Sequence, residues 1–136
     1  MIQRVQTLWL LLAAIAVFLT LKFSFYSGTL IKDNSFHSLV ATDNFLLMVL
    51  TSALGTAILV NIFLFKHRVV QFKISIIAIA VECLLIFLYL RQLKNYSNGT
   101  FDLWSIFHLV ILVSLVLAAI GMYKDERLIK DSNRLR

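Results

Sequence analysis

Four long apolar stretches dominate the chain, spaced by short polar segments: Val5 to Leu21, extendable past Lys22 to Tyr26; Asn44 to Phe65; Ile74 to Leu90; and Leu103 to Tyr123. Each is long enough to cross a hydrocarbon layer of about 30 Å as a helix rising 1.5 Å per residue. The pattern therefore predicts an all-α membrane protein: an antiparallel bundle of four transmembrane helices filling one domain, residues 1–136. A soluble reading fails because four such helices would leave no polar layer to cover them.

The first stretch also has the basic flank and apolar run of a cleaved leader. No small-x-small site follows Leu21, where the chain reads Lys22-Phe23-Ser24-Phe25-Tyr26, so a retained span is expected. Trp9 and Tyr26 suit an interfacial aromatic belt. Asp43 and Asp102 stand just before the second and fourth stretches and are expected to cap the exposed first-turn amides. Lys66-His67-Arg68 and Arg91 place cations at helix C-termini and headgroups.

Between the first two stretches, Leu30-Ile31-Lys32 and Phe36 to Val40 flank Asp33-Asn34, which fits either a small hairpin or an irregular loop. Asn98-Gly99-Thr100 matches a glycosylation sequon but reads as a turn.

Composition sharpens this picture. The 136 residues are 60% hydrophobic and 15% charged, with no proline, one cysteine and a net charge of +6. Such a chain has no room for a separate soluble domain. Its basic residues are distributed unevenly. The N-terminus, second connection and tail carry nine (Arg4; Lys66, Arg68, Lys73; Lys124, Arg127, Lys130, Arg134, Arg136), against four (Lys22, Lys32, Arg91, Lys94) in the other two connections. By the positive-inside rule both termini are cytoplasmic, and the charge is no sign of nucleic-acid binding.

Candidate chemistry is sparse. Glu82 falls at the middle of the third stretch, where an unpaired carboxylate would cost several kcal/mol. By depth its reachable partners are His108 and Asn61, with His108 preferred. The pair reads either as a proton or cation site or as a hydrogen-bonded tie between helices. A bis-His haem would need a second intramembrane imidazole, and His37 and His67 lie in connections. Cys83 is alone, so neither a disulfide nor a zinc site is expected. No phosphate loop or paired carboxylates appear, so no enzyme, cofactor or metal is expected.

Small residues Ala53 with Ala57, and Ser114 with Ala118, permit close helix packing within the chain or in a homo-oligomer. The absence of proline favours continuous helices over the broken ones of transporters. The tail, residues 124–136, sets Leu128, Ile129 and Leu135 among charges. It suits the cytoplasmic leaflet with its anionic lipids or a protein partner, or it extends the fourth helix.

Three blocks carry a resemblance: the opening Met1-Ile2-Gln3-Arg4-Val5-Gln6-Thr7, the central Phe63-Leu64-Phe65-Lys66-His67-Arg68-Val69-Val70-Gln71-Phe72-Lys73, and the closing Lys124-Asp125-Glu126-Arg127-Leu128-Ile129 with Asn133-Arg134-Leu135-Arg136. Together they resemble an uncharacterised family of short bacterial four-span membrane proteins, a domain of unknown function. The resemblance implies a fold and an inner-membrane location; it brings no established activity, substrate or cofactor. Members often close with Ser-x-Asp-Arg-Leu-Arg, whereas here Asn133 replaces the acid. All three blocks lie on the side expected to be cytoplasmic, and Glu82 lies outside them. The sequence thus favours a small structural, assembly or accessory subunit presenting Arg4, Lys66, Arg68, Lys73, Arg127, Arg134 and Arg136 as an interaction face. The alternative is a proton-coupled transporter or ion path through Glu82.

Overall fold

A computed structural model describes residues 2–136, with side chains from Val5 onward. The chain runs α1 (Ile2–Thr20), β1 (Tyr26–Leu30), β2 (Phe36–Leu39), α2 (Phe45–Phe63), α3 (Arg68–Gln92), β3 (Tyr96–Phe101) and α4 (Ile106–Arg134), with short 3-10 turns before α2, after α3 and before α4. Among the described residues, three helices are long and apolar enough to cross a membrane: α2, α3 with the turn that follows it, and α4 with the turn that precedes it. The described part of α1, Val5–Thr20, is apolar and shorter.

The helices pack as a closed ring, α1 on α2, α2 on α3, α3 on α4 and α4 on α1. Gln6 meets Asp125 at one end and Phe23 stacks on Trp104 at the other, so α1 and α4 run antiparallel. The inward residues recur at alternating steps of four and three: Gln6, Leu10, Ala13, Val17, Thr20 on α1; Leu47, Thr51, Leu54, Ile58, Asn61 on α2; Gln71, Ser75, Ala78, Glu82, Leu85, Tyr89 on α3; and His108, Ile111, Leu115, Ala118, Met122, Asp125 on α4. This is the heptad seam of left-handed helix packing. Its polarity is inverted relative to a water-soluble protein. Polar groups sit inside the seams, whereas the outward faces expose Leu8, Leu12 and Ile15 of α1, Val49 and Val60 of α2, Ile77, Leu84 and Phe87 of α3, and Leu109, Val113 and Ile120 of α4. Lipid solvates such an exterior and water does not.

The expectation of an all-α chain is corrected by a three-stranded antiparallel sheet, ordered β2-β1-β3, at the end of the molecule opposite the α2–α3 turn. α1 stops at Thr20 and does not extend to Tyr26: Phe25 already donates its amide to Leu39 O at 2.8 Å, and Tyr26 opens β1. The segment around Asp33-Asn34 is a hairpin, closed by Leu30 N to Ser35 O at 3.0 Å with Asn34 at φ 50°. Asn98-Gly99-Thr100 is a strand segment rather than a turn. The register between β1 and β3 slips between Ser27 and Thr29, and Asn98, at φ 50°, takes up the bulge. The left-handed preference of Asn-Gly is used here to bend a strand.

Gly99 has a second constraint: a Cβ there would collide with the Tyr26 ring, which Tyr96 and Phe101 hold edge-on at 5.8 and 5.3 Å. Gly99→Val is expected to lower stability by about 1–3 kcal/mol through overpacking, read as a drop in melting temperature. An unchanged melting temperature would show that the sheet is not held closed by this contact. Burial, with the Asp43 carboxylate adding to it, pushes the Tyr96 phenol above the usual tyrosine range.

The expected caps are also reassigned. Asn44 caps α2, accepting from Leu46 N at 3.0 Å, while Asp43 accepts from Val40 N at 2.9 Å. The Asp102 carboxylate accepts from the hydroxyls of Ser24 and, at 2.6 Å, Ser27, because the strands bring both within reach. α3 starts at Arg68, six residues before the apolar stretch, and α4 continues unbroken through the tail to Arg134.

Candidate functional site: a buried acid–imidazole pair and a basic end

Glu82 and His108 are respectively 1% and 3% exposed, and His108 Nδ1 lies 2.7 Å from Glu82 Oε1. The seams place them: α3 and α4 run antiparallel, and each contributes an inward position at the same level. Phe25 and Tyr89 enclose the imidazole, with ring centroids 5.2 and 5.0 Å away and steep interplanar angles, and they stack on each other at 4.6 Å. The pair has no net charge either as carboxylic acid with neutral imidazole or as carboxylate with imidazolium. One proton can therefore be held between α3 and α4 at no cost in net charge.

Glu82 Oε2 has no hydrogen-bond partner among the described residues, and neither do Thr51 Oγ1 or Asn61 Oδ1. Asn61 does not join Glu82. Its side-chain amide donates from Nδ2 to Ser75 Oγ at 2.9 Å and its backbone carbonyl accepts from Gln71 Nε2 at 3.1 Å, forming a separate polar layer between α2 and α3. The register set by Asn61 with Gln71 and Ser75 brings Thr51, earlier in α2, near the level of Glu82.

A third layer lies at the end holding the α2–α3 turn. Gln6 Nε2 donates to Asp125 Oδ2 at 2.7 Å, and Arg68 approaches the same oxygen at 3.9 Å. Asp125 is 6% exposed, so Arg68 is partly an internal counter-ion. Lys66, Lys73, Arg127, Arg134 and Arg136 are exposed. The Arg4 side chain lies outside the described residues. The basic residues thus occupy one end of the molecule but not one flat face: Lys66 and Lys73 flank the turn, and Arg134 stands about 14 Å farther along α4 than Asp125. Glu126, 2.9 Å from Lys130, holds that ammonium above the usual lysine range.

Sequence reasoning missed Gln6, Gln71, Ser75, Tyr89 and Asp125. Four-and-three spacing from Glu82 marks Gln71, Ser75 and Tyr89, and from His108 marks Asp125, as seam positions; Gln6 holds the equivalent place on α1 with Leu10, Ala13 and Val17. Thr51 bears the same spacing from Asn61 on α2, whereas Phe25, outside the helices, carried no comparable local mark. Of the small-residue pairs, Ser114 and Ala118 are buried, while Ala53 is exposed.

A ring of apolar-surfaced helices enclosing polar layers has the build of a membrane protein. The chain belongs to the family described as Domain of unknown function (DUF4293), whose model matches residues 2–135. Neither a curated protein nor a solved structure matches it.

Proposed function

We propose that this is a four-span protein of the bacterial inner membrane, an antiparallel four-helix bundle with both termini in the cytoplasm, acting as a small structural, assembly or accessory subunit. The exposed apolar side of α1 matches those of the other helices and supports a fourth span. One observation carries the accessory reading. Beyond Asp125, α4 continues for more than two turns with Leu128 and Ile129 exposed among basic residues. A helical arm rigidly continuous with a span suits a protein partner at the membrane surface.

A photo-crosslinking residue in place of Leu128 is expected to capture one defined protein in cells, and Arg127→Ala with Arg134→Ala and Arg136→Ala to abolish the adduct. Adducts to lipid alone would overturn this reading.

The orphaned Glu82 Oε2 favours a second reading, a proton or cation path using Glu82. Proton flux in vesicles containing the purified protein, lost in Glu82→Gln, would support it. Equal flux in both proteins would remove it.

A further inference from the structure

At the sheet end, a cleft of about 480 Å³ opens between the start of α2 and the end of α3, lined by Asn44, Leu46, Leu47, Leu88, Arg91, Gln92, Lys94 and Asn95. Its lining is graded along the helix axes. Arg91, Gln92, Lys94, Asn95 and Asn44 form the rim, and Leu88 and Leu47 each lie about a turn deeper towards the middle of the bundle. The rim is rich in donors that nothing else engages. Neither Arg91 nor Lys94 makes an ion pair among the described residues. Asn44 spends its carbonyl oxygen on Leu46 N, which leaves its amide N–H groups free to face outward. The nearest acid in sequence, Asp43, is occupied by Val40 N at 2.9 Å and His37 at 4.0 Å. The rim is also fixed in place, because Asn95 O accepts from Ile31 N of the hairpin at 3.1 Å.

Unpaired cations and amide donors above leucines fit one class of ligand, a phosphate anion attached to acyl chains. We propose that this cleft binds the headgroup of an anionic glycerophospholipid in the leaflet facing away from the termini, with Arg91 and Lys94 on the phosphate and the acyl chains against Leu46 and Leu88. The site rests on the four-span reading. It is distinct from the basic end, which faces the opposite leaflet.

The full chain, reconstituted in phosphatidylcholine nanodiscs with a minor fraction of phosphatidylglycerol and then released into mild detergent, is examined by native mass spectrometry. The expected result is retained phosphatidylglycerol well above its bulk fraction. Arg91→Gln with Lys94→Gln should lower that enrichment roughly tenfold or more, as expected for two cations at the headgroup level. Lys66→Gln with Lys73→Gln, at the other end, should leave it unchanged. Equal enrichment in both double variants overturns the proposal. Displacement of the lipid by soluble glycerol phosphate also overturns it, assigning the cleft to a free phosphate. Release of the chain from membranes by alkaline extraction would instead refute the four-span reading, so the two failures are separable.

Discussion

His108→Leu is expected to destabilise the protein by about 3–5 kcal/mol, the cost of breaking a buried acid–imidazole pair by removing one partner. Glu82 Oε1 has His108 as its hydrogen-bond partner and Oε2 has none among the described residues, so the substitution strands the whole carboxyl group in the seam between α3 and α4. Leu85 and Ile111 are both 0% exposed, so that part of the seam is closed to bulk solvent. The double variant Glu82→Leu with His108→Leu should recover most of the loss, since replacing a buried pair by apolar side chains is often neutral or stabilising by about 1–4 kcal/mol. Melting of these two variants, of Glu82→Leu alone and of the unsubstituted protein in one detergent gives the coupling directly. If the double variant loses the sum of the two single losses, the pair is not a coupled unit.

The same series separates the two functional readings. A structural tie predicts that the double variant recovers both stability and cellular phenotype. A proton site predicts that stability returns while transport stays lost, because leucines cannot hold a proton. His108→Gln adds a useful midpoint: it keeps a hydrogen bond to Glu82 but has no titrating nitrogen at that position.

The helices were legible because each apolar stretch had to satisfy its backbone internally over a membrane's width, and length alone reveals that. The pairing of Glu82 with His108 was accessible by depth, since short connections force neighbouring helices to be antiparallel. Asn61 was mispaired because depth does not specify which side of a helix faces which neighbour, whereas seam spacing does. Gln71 and Ser75 lie on that seam with Asn61 opposite, one layer away from Glu82. The sheet was obscured for a different reason. β3 contains Asn-Gly, whose left-handed tendency reads locally as a turn, and only pairing with a strand about 70 residues earlier turns it into a bulge. Asp102 shows the same limit. As a local cap it was plausible, but Ser24 and Ser27 reach its carboxylate through long-range contacts that spacing does not encode.

Stripping Asp125 of both its partners, by Gln6→Leu with Arg68→Leu, is expected to cost about 3–5 kcal/mol, comparable to the loss at His108. Asp125 sits on the α4 seam, 6% exposed, with Gln6 from α1 at 2.7 Å and Arg68 from α3 at 3.9 Å. Arg68 alone should account for the smaller share, because its side chain is 31% exposed and can turn to water. Gln6 cannot, being 6% exposed and packed against Gly121, where a Cβ would lie 2.9 Å from its side chain. Adding Asp125→Leu to the double variant should restore much of the stability by removing the stranded charge. The position of the loss is as informative as its size. This triad joins α1 to α3 and α4 at the end where the basic arm begins, so amide exchange should accelerate first in α1 and in α4 beyond Met122, with the sheet end still protected. Uniform loss of protection would mean that the layer is not a local clasp. Selective loss, with disappearance of the Leu128 adduct, would show that the arm is aimed by the clasp, linking α1 to whatever the arm engages.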